Sequence, residues 1–200
     1  MSSIPLDSIK LAEATITPKG AKQCNLCSGD LNLPVIIDSV GHLSTPFDPG
    51  NYDETKPSNR VNLEVRCNAE LEAWAKKFDE WAVKYVTEHS ERLFKKKSTE
   101  AQVRDTVRPL ATKKTPEYPA LMRMKLQTTG PSQVRYWDEK GVARDPPADW
   151  RNCEFRVRAT IRSMYIMGKD MGFVVQADHL QIFERSVSCP FEACGDVCPM

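Results

Sequence analysis

The sequence predicts a mainly β fold with inserted helices, and three observations lead to this class. Along most of the chain, apolar and polar residues alternate in short runs, and a period of two is that of half-buried strands. One segment in the middle instead repeats its apolar residues every three or four positions, which is the period of an amphipathic helix. Proline, glycine and asparagine separate these segments, as turns and loops require.

The first part of the chain is predicted to be irregular over residues 1–32, because prolines interrupt it. A short strand is predicted at Leu33–Ser39, and a loop rich in proline, aspartate and asparagine follows it. Residues 60–67 then alternate apolar and polar side chains, which is typical of a strand with one buried face. The alternating apolar residues are Val61, Leu63 and Val65.

A helical insertion is predicted over residues 68–108. Asn68 is a suitable N-cap, and the apolar residues after it recur on one face of a helix. A second, shorter helix is predicted to start at a cap formed by Ser98 and to stop before Pro109. The apolar face of the first helix is interpreted as core, and a partner-binding surface is the alternative. This face consists of Leu71, Trp74, Phe78, Trp81 and Tyr85.

Alternating segments return after Pro119 and predict the closing strands. They are ALMRMKLQ, VRYWDEKG, CEFRVRATIRSM and FVVQADHLQIFE. Early strands, a helical insertion and a final antiparallel meander with short turns fit a five-stranded OB-fold-like barrel. The predicted organisation is therefore an irregular segment over 1–32, an OB-fold domain over 33–185 and a cysteine-rich tail over 186–200.

Three of the closing segments carry positive charge on one face. In CEFRVRATIRSM the arginines alternate with apolar residues, so they leave one face of a strand while the other face joins the core. Cations that follow phosphates, together with aromatic rings that stack bases, are what a single strand of nucleic acid requires. The predicted phosphate contacts are Arg123, Lys125, Arg135, Arg156, Arg158 and Arg162, and the predicted stacking residues are Trp137 and Tyr165.

Other interpretations of this face stay open. One face of an antiparallel sheet commonly faces water, and Asp or Glu on a neighbouring strand could neutralise the arginines. The net charge of the chain is only +1, so a basic surface requires local segregation of charge. RNA is an alternative to DNA, because nothing in these residues reads a 2′-hydroxyl. A protein-interaction module without catalytic activity is a further alternative.

The order of these elements resembles a known family. The chain has PFDPGNY and VNLEV before the helical insertion, and MRMKL, VRYWD, FRVRATIRSMYIM and GFVVQADHLQIFE after it. In this order, residues 34–184 are similar to phage-type single-stranded DNA-binding proteins and to their relatives in large nucleocytoplasmic DNA viruses. The resemblance implies an OB-fold that coats transient single-stranded DNA during replication, recombination and repair.

The resemblance also implies a ligand, partners and a location. These are single-stranded DNA, replication or recombination proteins, and the nucleus or the site of DNA replication; a homodimer stays open. Proteins of this family often end in an acidic tail that docks partners. Here the tail has only Glu192 and Asp196 as acidic residues, which leaves docking through the tail open.

The cysteines are interpreted as unpaired thiols, so no cofactor is predicted. Their number, seven, is odd, which argues against a closed set of disulfides. Cys24 and Cys27 have the spacing of half a zinc site, and Cys194 and Cys198 are the candidates for the other half. A structural zinc ion is therefore the alternative.

The sequence predicts an intracellular protein that is not an enzyme. Its three histidines stand in no catalytic or metal-binding spacing, and it has no phosphate-binding loop or nucleophile elbow. No apolar run is long enough to cross a membrane, and the N-terminus lacks the pattern of a secretory signal.

Overall fold

The computed structural model describes residues 5–18, 20–29, 33–51 and 58–185. In this part of the chain the protein is mainly β, with three α-helices and one mixed sheet of twelve strands. The predicted class, mainly β with inserted helices, is thus confirmed. Among the described residues, no helix is both long and apolar enough to cross a membrane.

The sheet is built from strands on both sides of the helical insertion. The strands are β1 (Ile9–Leu11), β2 (Thr15–Ile16), β3 (Lys22–Ser28), β4 (Val35–Asp38), β5 (Leu43–Ser44), β6 (Arg60–Arg66), β7 (Ala111–Thr112), β8 (Leu121–Gln127), β9 (Arg135–Trp137), β10 (Ala143–Arg144), β11 (Cys153–Met167) and β12 (Asp170–Glu184). The helices are α1 (Ala69–Glu88), α2 (Ser90–Phe94) and α3 (Glu100–Thr106). These helices therefore lie between β6 and β7, within the predicted insertion.

The expectation of an irregular segment over residues 1–32 is wrong for its described part. β1 and β2 both pair with β3, and β3 pairs with the second half of β11. Cys24 and Leu26 of β3 are buried in the core together with Ile9 and Leu11 of β1. A cysteine and a serine lie on the buried face of β3. The two faces of this strand therefore differ little in polarity, and the alternation of apolar and polar residues is weak in its sequence.

Five strands of the sheet pair in a closed circuit. β11 pairs with β5, β5 with β6, β6 with β8, β8 with β12, and β12 returns to β11. The β8–β12 pair is parallel, and the other pairs of the circuit are antiparallel. One face of these strands is buried, and the opposite face, here called the outer face, is largely polar. Buried residues include Leu63, Val65, Met122, Met124, Leu126, Phe155, Ile161, Val175 and Leu180.

β11 and β12 form a long antiparallel hairpin around a turn at Gly168 and Lys169. Gly168 has a φ of 61°, a left-handed conformation that glycine adopts without strain. The register skips one residue in each strand, Arg162 in β11 and Asp178 in β12, so each strand contains a β-bulge. The alternation predicted for the first half of β11 is confirmed, with its apolar residues buried and its arginines exposed.

α1 packs its predicted apolar face against the sheet. The helix is capped as predicted, since the Asn68 side chain accepts a hydrogen bond from the Leu71 N–H at 2.9 Å. Phe78 is fully buried and contacts Phe173 of β12 edge to face, with ring centroids 4.9 Å apart. Trp81 is partly buried and packs against the same core. This face of α1 is therefore core, as the sequence predicts.

The second predicted helix starts one residue later than expected. Thr99, and not Ser98, caps α3, and the side chains of Thr99 and Gln102 form a reciprocal capping box. The Ser98 N–H instead donates to the Ser90 hydroxyl at 3.0 Å, which closes the connection between α2 and α3. The spacing of Thr99 and Gln102 is the sequence signal for this start.

We expect Phe78→Ala to lower the free energy of unfolding by about 3–5 kcal/mol, because it leaves a cavity between α1 and β12. Chemical denaturation followed by circular dichroism measures this change. Lys77→Ala is the matched control, since Lys77 is the exposed neighbour of Phe78, and its effect should stay below about 0.5 kcal/mol. A loss below about 1 kcal/mol for Phe78→Ala would show that this face of α1 is not part of the core.

Asp79 joins α1 to the segment that enters β7. Its carboxylate accepts a hydrogen bond from the Leu110 N–H at 3.0 Å, while burial raises the pKa of Asp79 to about 6 from an ordinary value of 3.8. Burial disfavours the charged form, so between these two values the folded protein holds a proton that the unfolded chain has released. Ionisation of Asp79 therefore costs stability as the pH rises through this window.

We expect the free energy of unfolding to fall as the pH rises from about 4 to about 6, and Asp79→Asn to remove that part of the fall. The amide oxygen of asparagine can still accept the Leu110 N–H, but it carries no charge to bury. Denaturation curves of both proteins across this range test the expectation. Asp105→Asn, at an exposed carboxylate of α3, is the control. Parallel pH profiles for the wild type and Asp79→Asn would contradict the raised pKa.

Candidate nucleic-acid interface

Four depressions on the surface share lining residues with one another. The first is lined by β6, β8, β12 and the end of β11, and the segment between α3 and β8 borders it. The second adjoins the first at Val174 and lies beside the turn after β8. The third adjoins the second at Gly130 and Pro131 and includes β9. The fourth adjoins the first at Lys114 and Leu121. Together these four depressions are called the groove.

Six of the eight predicted contact residues line the groove, namely Arg123, Lys125, Arg135, Trp137, Arg162 and Tyr165. Arg156 and Arg158 do not line these four depressions but are exposed on β11. Arg158 is in register with His179 of β12, which is in turn in register with Arg135 of β9. The three basic strands are not direct neighbours, because β12 lies between β11 and both β8 and β9.

Positive charge is concentrated in the groove although the chain as a whole is nearly neutral. Nine of the lining side chains are Lys or Arg and two, Glu64 and Asp145, are acidic, against a net charge of +1 for the chain. A cleft lined mainly by one sign of charge attracts ligands of the opposite sign. The basic lining residues are Arg60, Arg66, Arg108, Lys114, Arg123, Lys125, Arg135, Arg144 and Arg162.

Some of the predicted arginines are paired with carboxylates, as one alternative interpretation anticipates. Arg123 contacts Glu64 of β6 at 2.6 Å. Arg158 contacts Asp38 of β4 through two nitrogen atoms, at 2.6 and 3.0 Å. The interpretation of an uncompensated row of arginines is wrong for these two residues. Their partners lie on strands whose place beside β8 and β11 no local sequence pattern reveals.

The two bulged residues also pair with each other. Arg162 contacts Asp178 at 2.8 Å, so the row is compensated at this point as well. The Thr160 hydroxyl donates to the same carboxylate at 2.5 Å, and the Gln176 amide lies 3.4 Å from it. These contacts hold Arg162 against β12, where it lines the second depression.

Lys125 lies in the groove close to Arg60 and Arg123. Its ammonium donates to the side-chain oxygen of Asn62, and in the described part of the chain it contacts no carboxylate. Burial, and then the charges of Arg60 and Arg123, lower the pKa of Lys125, and burial lowers the pKa of Arg60. Burial disfavours the charged form of both groups, and the neighbouring cations disfavour that of Lys125 further. A phosphate at this point would supply the missing negative charge.

The ring of Tyr165 lies over the backbone of Gly172 in the first depression. The two residues are in register between β11 and β12, and a Cβ atom at position 172 would come within 2.5 Å of the Tyr165 hydroxyl oxygen. Glycine leaves the space that the ring fills, so Gly172 positions a predicted stacking residue. Gly172 is not itself among the predicted residues, although a glycine within a strand can signal such a close approach.

Trp137 is held in the third depression by His179. The indole Nε1 donates to Nδ1 of His179 at 3.1 Å, and the two rings stack with centroids 5.9 Å apart and planes 24° apart. Because Nδ1 accepts this bond, His179 carries its proton on Nε2 in this arrangement. The histidine orients the indole ring and covers part of one of its faces. Only the other face of the indole can therefore stack on a base.

Cys24 and Cys27 both lie in β3 and point to opposite faces of this strand. Residues three apart in a strand point to opposite faces, and here Cys24 is buried while Cys27 is partly exposed. Cys194 and Cys198 lie outside the described residues. Within the described ranges, no group of three or more His, Cys, Asp or Glu side chains could hold a metal ion. Burial raises the pKa of Cys24, and that of Cys67 to about 12, so both are neutral thiols.

Comparison with known proteins finds a distant structural likeness. No family model matches the chain, and no curated protein matches its sequence. The chain is similar to a solved structure of a single-stranded DNA-binding protein from bacteriophage Enc34, with a TM-score of 0.40 and 11% identity over 96% of each chain. A structure of that protein in complex with ssDNA gives a TM-score of 0.39 and 14% identity, over 91% of this chain and 98% of that one. A likeness this distant assigns neither a fold family nor a function to the chain.

We expect Gly172→Ala to destabilise the wild type but to have much less effect in a Tyr165→Ala background, because the added methyl group then meets no ring. A double-mutant cycle measured by chemical denaturation should give a coupling energy of about 0.5–3 kcal/mol. A cycle of Gly172→Ala with Trp137→Ala is the control, and it should be additive within about 0.5 kcal/mol. Additivity in the Tyr165 cycle would contradict the close approach of the ring to Gly172.

Proposed function

We propose that the chain binds single-stranded DNA without sequence specificity and without catalysing a reaction. The groove carries this proposal, because it combines cations that lack carboxylate partners with aromatic rings along one face of a sheet. Cations that follow phosphates and rings that stack bases are the two parts of such a site. Within the described residues, the lining cations without a carboxylate partner are Arg60, Arg66, Lys114, Lys125 and Arg135.

The rings in the groove favour a single strand over a duplex. Tyr165 and Trp137 both line the groove among the cations. Bases in a duplex are stacked on each other, so an aromatic side chain reaches their faces only when the strand is unpaired. Phosphate contacts alone would hold either form of DNA. In this proposal the cations supply affinity and the rings supply the preference for unpaired strands.

The paired arginines also belong to the proposed site. The side chains of Arg123 and Arg158 are 61% and 57% exposed, and exposed ion pairs contribute only about 0.2–1 kcal/mol. A phosphate can therefore replace the carboxylate at low cost, and a guanidinium binds it through two N–H groups in the same way. Arg156, which has no side-chain partner in the described part of the chain, extends the basic surface along β11.

We propose that the five paired strands are the core of an OB-fold, a five-stranded architecture that binds oligonucleotides. These strands are β5, β6, β8, β12 and β11. We propose DNA and not RNA as the ligand, because the sequence resembles single-stranded DNA-binding proteins of phages and large DNA viruses. The same resemblance supports a role in DNA replication, recombination or repair. It also supports proteins of those processes as partners and the site of DNA replication as the location.

Fluorescence anisotropy with labelled oligothymidylate, a DNA duplex and oligouridylate of equal length tests the proposal. We expect the DNA single strand to bind more tightly than the duplex at the same salt concentration, because only its bases can stack on the rings. Binding to the duplex with equal or higher affinity would replace the proposal with a general basic surface. Higher affinity for oligouridylate would favour the RNA alternative.

Variants at Lys125 and Arg60 separate the groove from the rest of the surface in the same assay. Lys125→Gln with Arg60→Gln removes two proposed phosphate contacts and should flatten the slope of log K against log[salt] by about 0.7 per contact, or roughly 1.4 in total. Lys77→Gln with Lys84→Gln removes the same charge from the exposed face of α1 and should leave the slope nearly unchanged. Equal slopes for the two double variants would mean that the phosphates are bound elsewhere.

A further inference from the structure

The fourth depression of the groove exposes two aromatic rings on a fixed backbone. Phe47 is 56% exposed and Tyr118 is 67% exposed, and both line this depression. The hydroxyl of the buried Thr45 lies 2.7 Å from the carbonyl oxygen of Phe47 and 2.7 Å from that of Glu64, which anchors the chain at Phe47. Pro119 restricts the backbone of Tyr118. The backbone that carries the two rings is thus ordered before a ligand binds, which lowers the entropy lost on binding.

This depression continues the first one. Lys114 and Leu121 line both. Leu121 begins the outer face of β8, on which Arg123 and Lys125 follow at intervals of two residues. A strand of nucleic acid that follows these two cations along β8 is therefore led to the two exposed rings.

The charges beside the two rings favour an anionic ligand. Arg66 and Lys114 are the charged side chains that line the fourth depression, and no carboxylate lines it in the described part of the chain. Arg66 reaches the Ser44 hydroxyl at 3.5 Å, and within the described residues Lys114 makes no side-chain hydrogen bond or ion pair. An apolar peptide would bury both cations without a counter-charge, which is costly. A nucleic-acid strand instead offers bases to the rings and phosphates to the cations.

We infer that Phe47 and Tyr118 form a second base-stacking subsite, with Arg66 and Lys114 as its phosphate contacts. This inference rests on the proposed function and extends the path of the bound single strand beyond the residues predicted from the sequence. The subsite lies at one end of the groove. A strand bound in the first depression therefore occupies it only when the strand is long enough to reach it.

Phe47→Leu with Tyr118→Leu tests the subsite, because it keeps apolar bulk and removes both rings. Affinity is measured by anisotropy for oligothymidylates from about 4 to about 16 nucleotides, the range of site sizes of single OB-folds. We expect the variant to bind the shortest strand as the wild type does. It should bind the longest strand at least about 5-fold more weakly, which corresponds to the loss of about 1 kcal/mol from one stacked base.

Ile16→Ala with Val40→Ala is the matched control, because it removes exposed apolar side chains that do not line the groove. This control should bind every length as the wild type does, and far-UV circular dichroism checks that all variants are folded. If the wild type binds oligothymidylate and the Phe47 and Tyr118 variant matches it at every length, the subsite is overturned while the proposed function stands. If the wild type itself does not bind, the proposed function fails and the subsite fails with it.

Discussion

The pairing of β11 with β12 is the constraint on which the rest of the structure depends. Each strand has fifteen residues, and β11 carries β3, β4 and β5 on its other edge while β12 carries β8 and β9. A strand that is paired on both edges cannot slip by one residue without turning its buried side chains to the solvent. The positions of the groove residues therefore follow from the burial of Phe155 and Leu180, which are fully buried on the other face of the same two strands.

On the outer face, cations that pair with carboxylates have a different effect from cations that do not. Arg123 and Arg158 each meet a carboxylate of a neighbouring strand, and such opposite-charge pairs support the alignment of the strands. Lys125 and Arg135 have no such partner among the described residues, so they contribute positive potential. A chain that is nearly neutral overall can in this way hold a basic groove and still keep cross-strand ion pairs.

Strand faces can be predicted from this sequence, whereas strand neighbours cannot. In β6, β8 and β11 the alternation of apolar and polar residues reports where each side chain points, so the buried and exposed faces of these strands follow from the local sequence. The helix cap at Asn68 also follows from the local sequence. The pairs of Arg123 with Glu64 and of Arg158 with Asp38 span 59 and 120 residues, and no local pattern reports such contacts. For the same reason the predicted antiparallel meander misses the parallel pairs that β12 makes with β8 and β9. The two exposed rings of the fourth depression lie outside the strands, where no period marks them.

The bulge at Arg162 changes the face of the sheet to which the later side chains of β11 point. In an unbroken strand Tyr165 would lie on the face opposite to Arg158, because odd and even residues alternate. The extra residue shifts the alternation by one, so that Met164 is buried and Tyr165 turns outward over Gly172. The bulge leaves the order of residues unchanged, but the side chain of each later residue points to the opposite face of the strand. Replacing Arg162 keeps this arrangement, whereas deleting it would return Tyr165 to the core and bring Met164 into the groove.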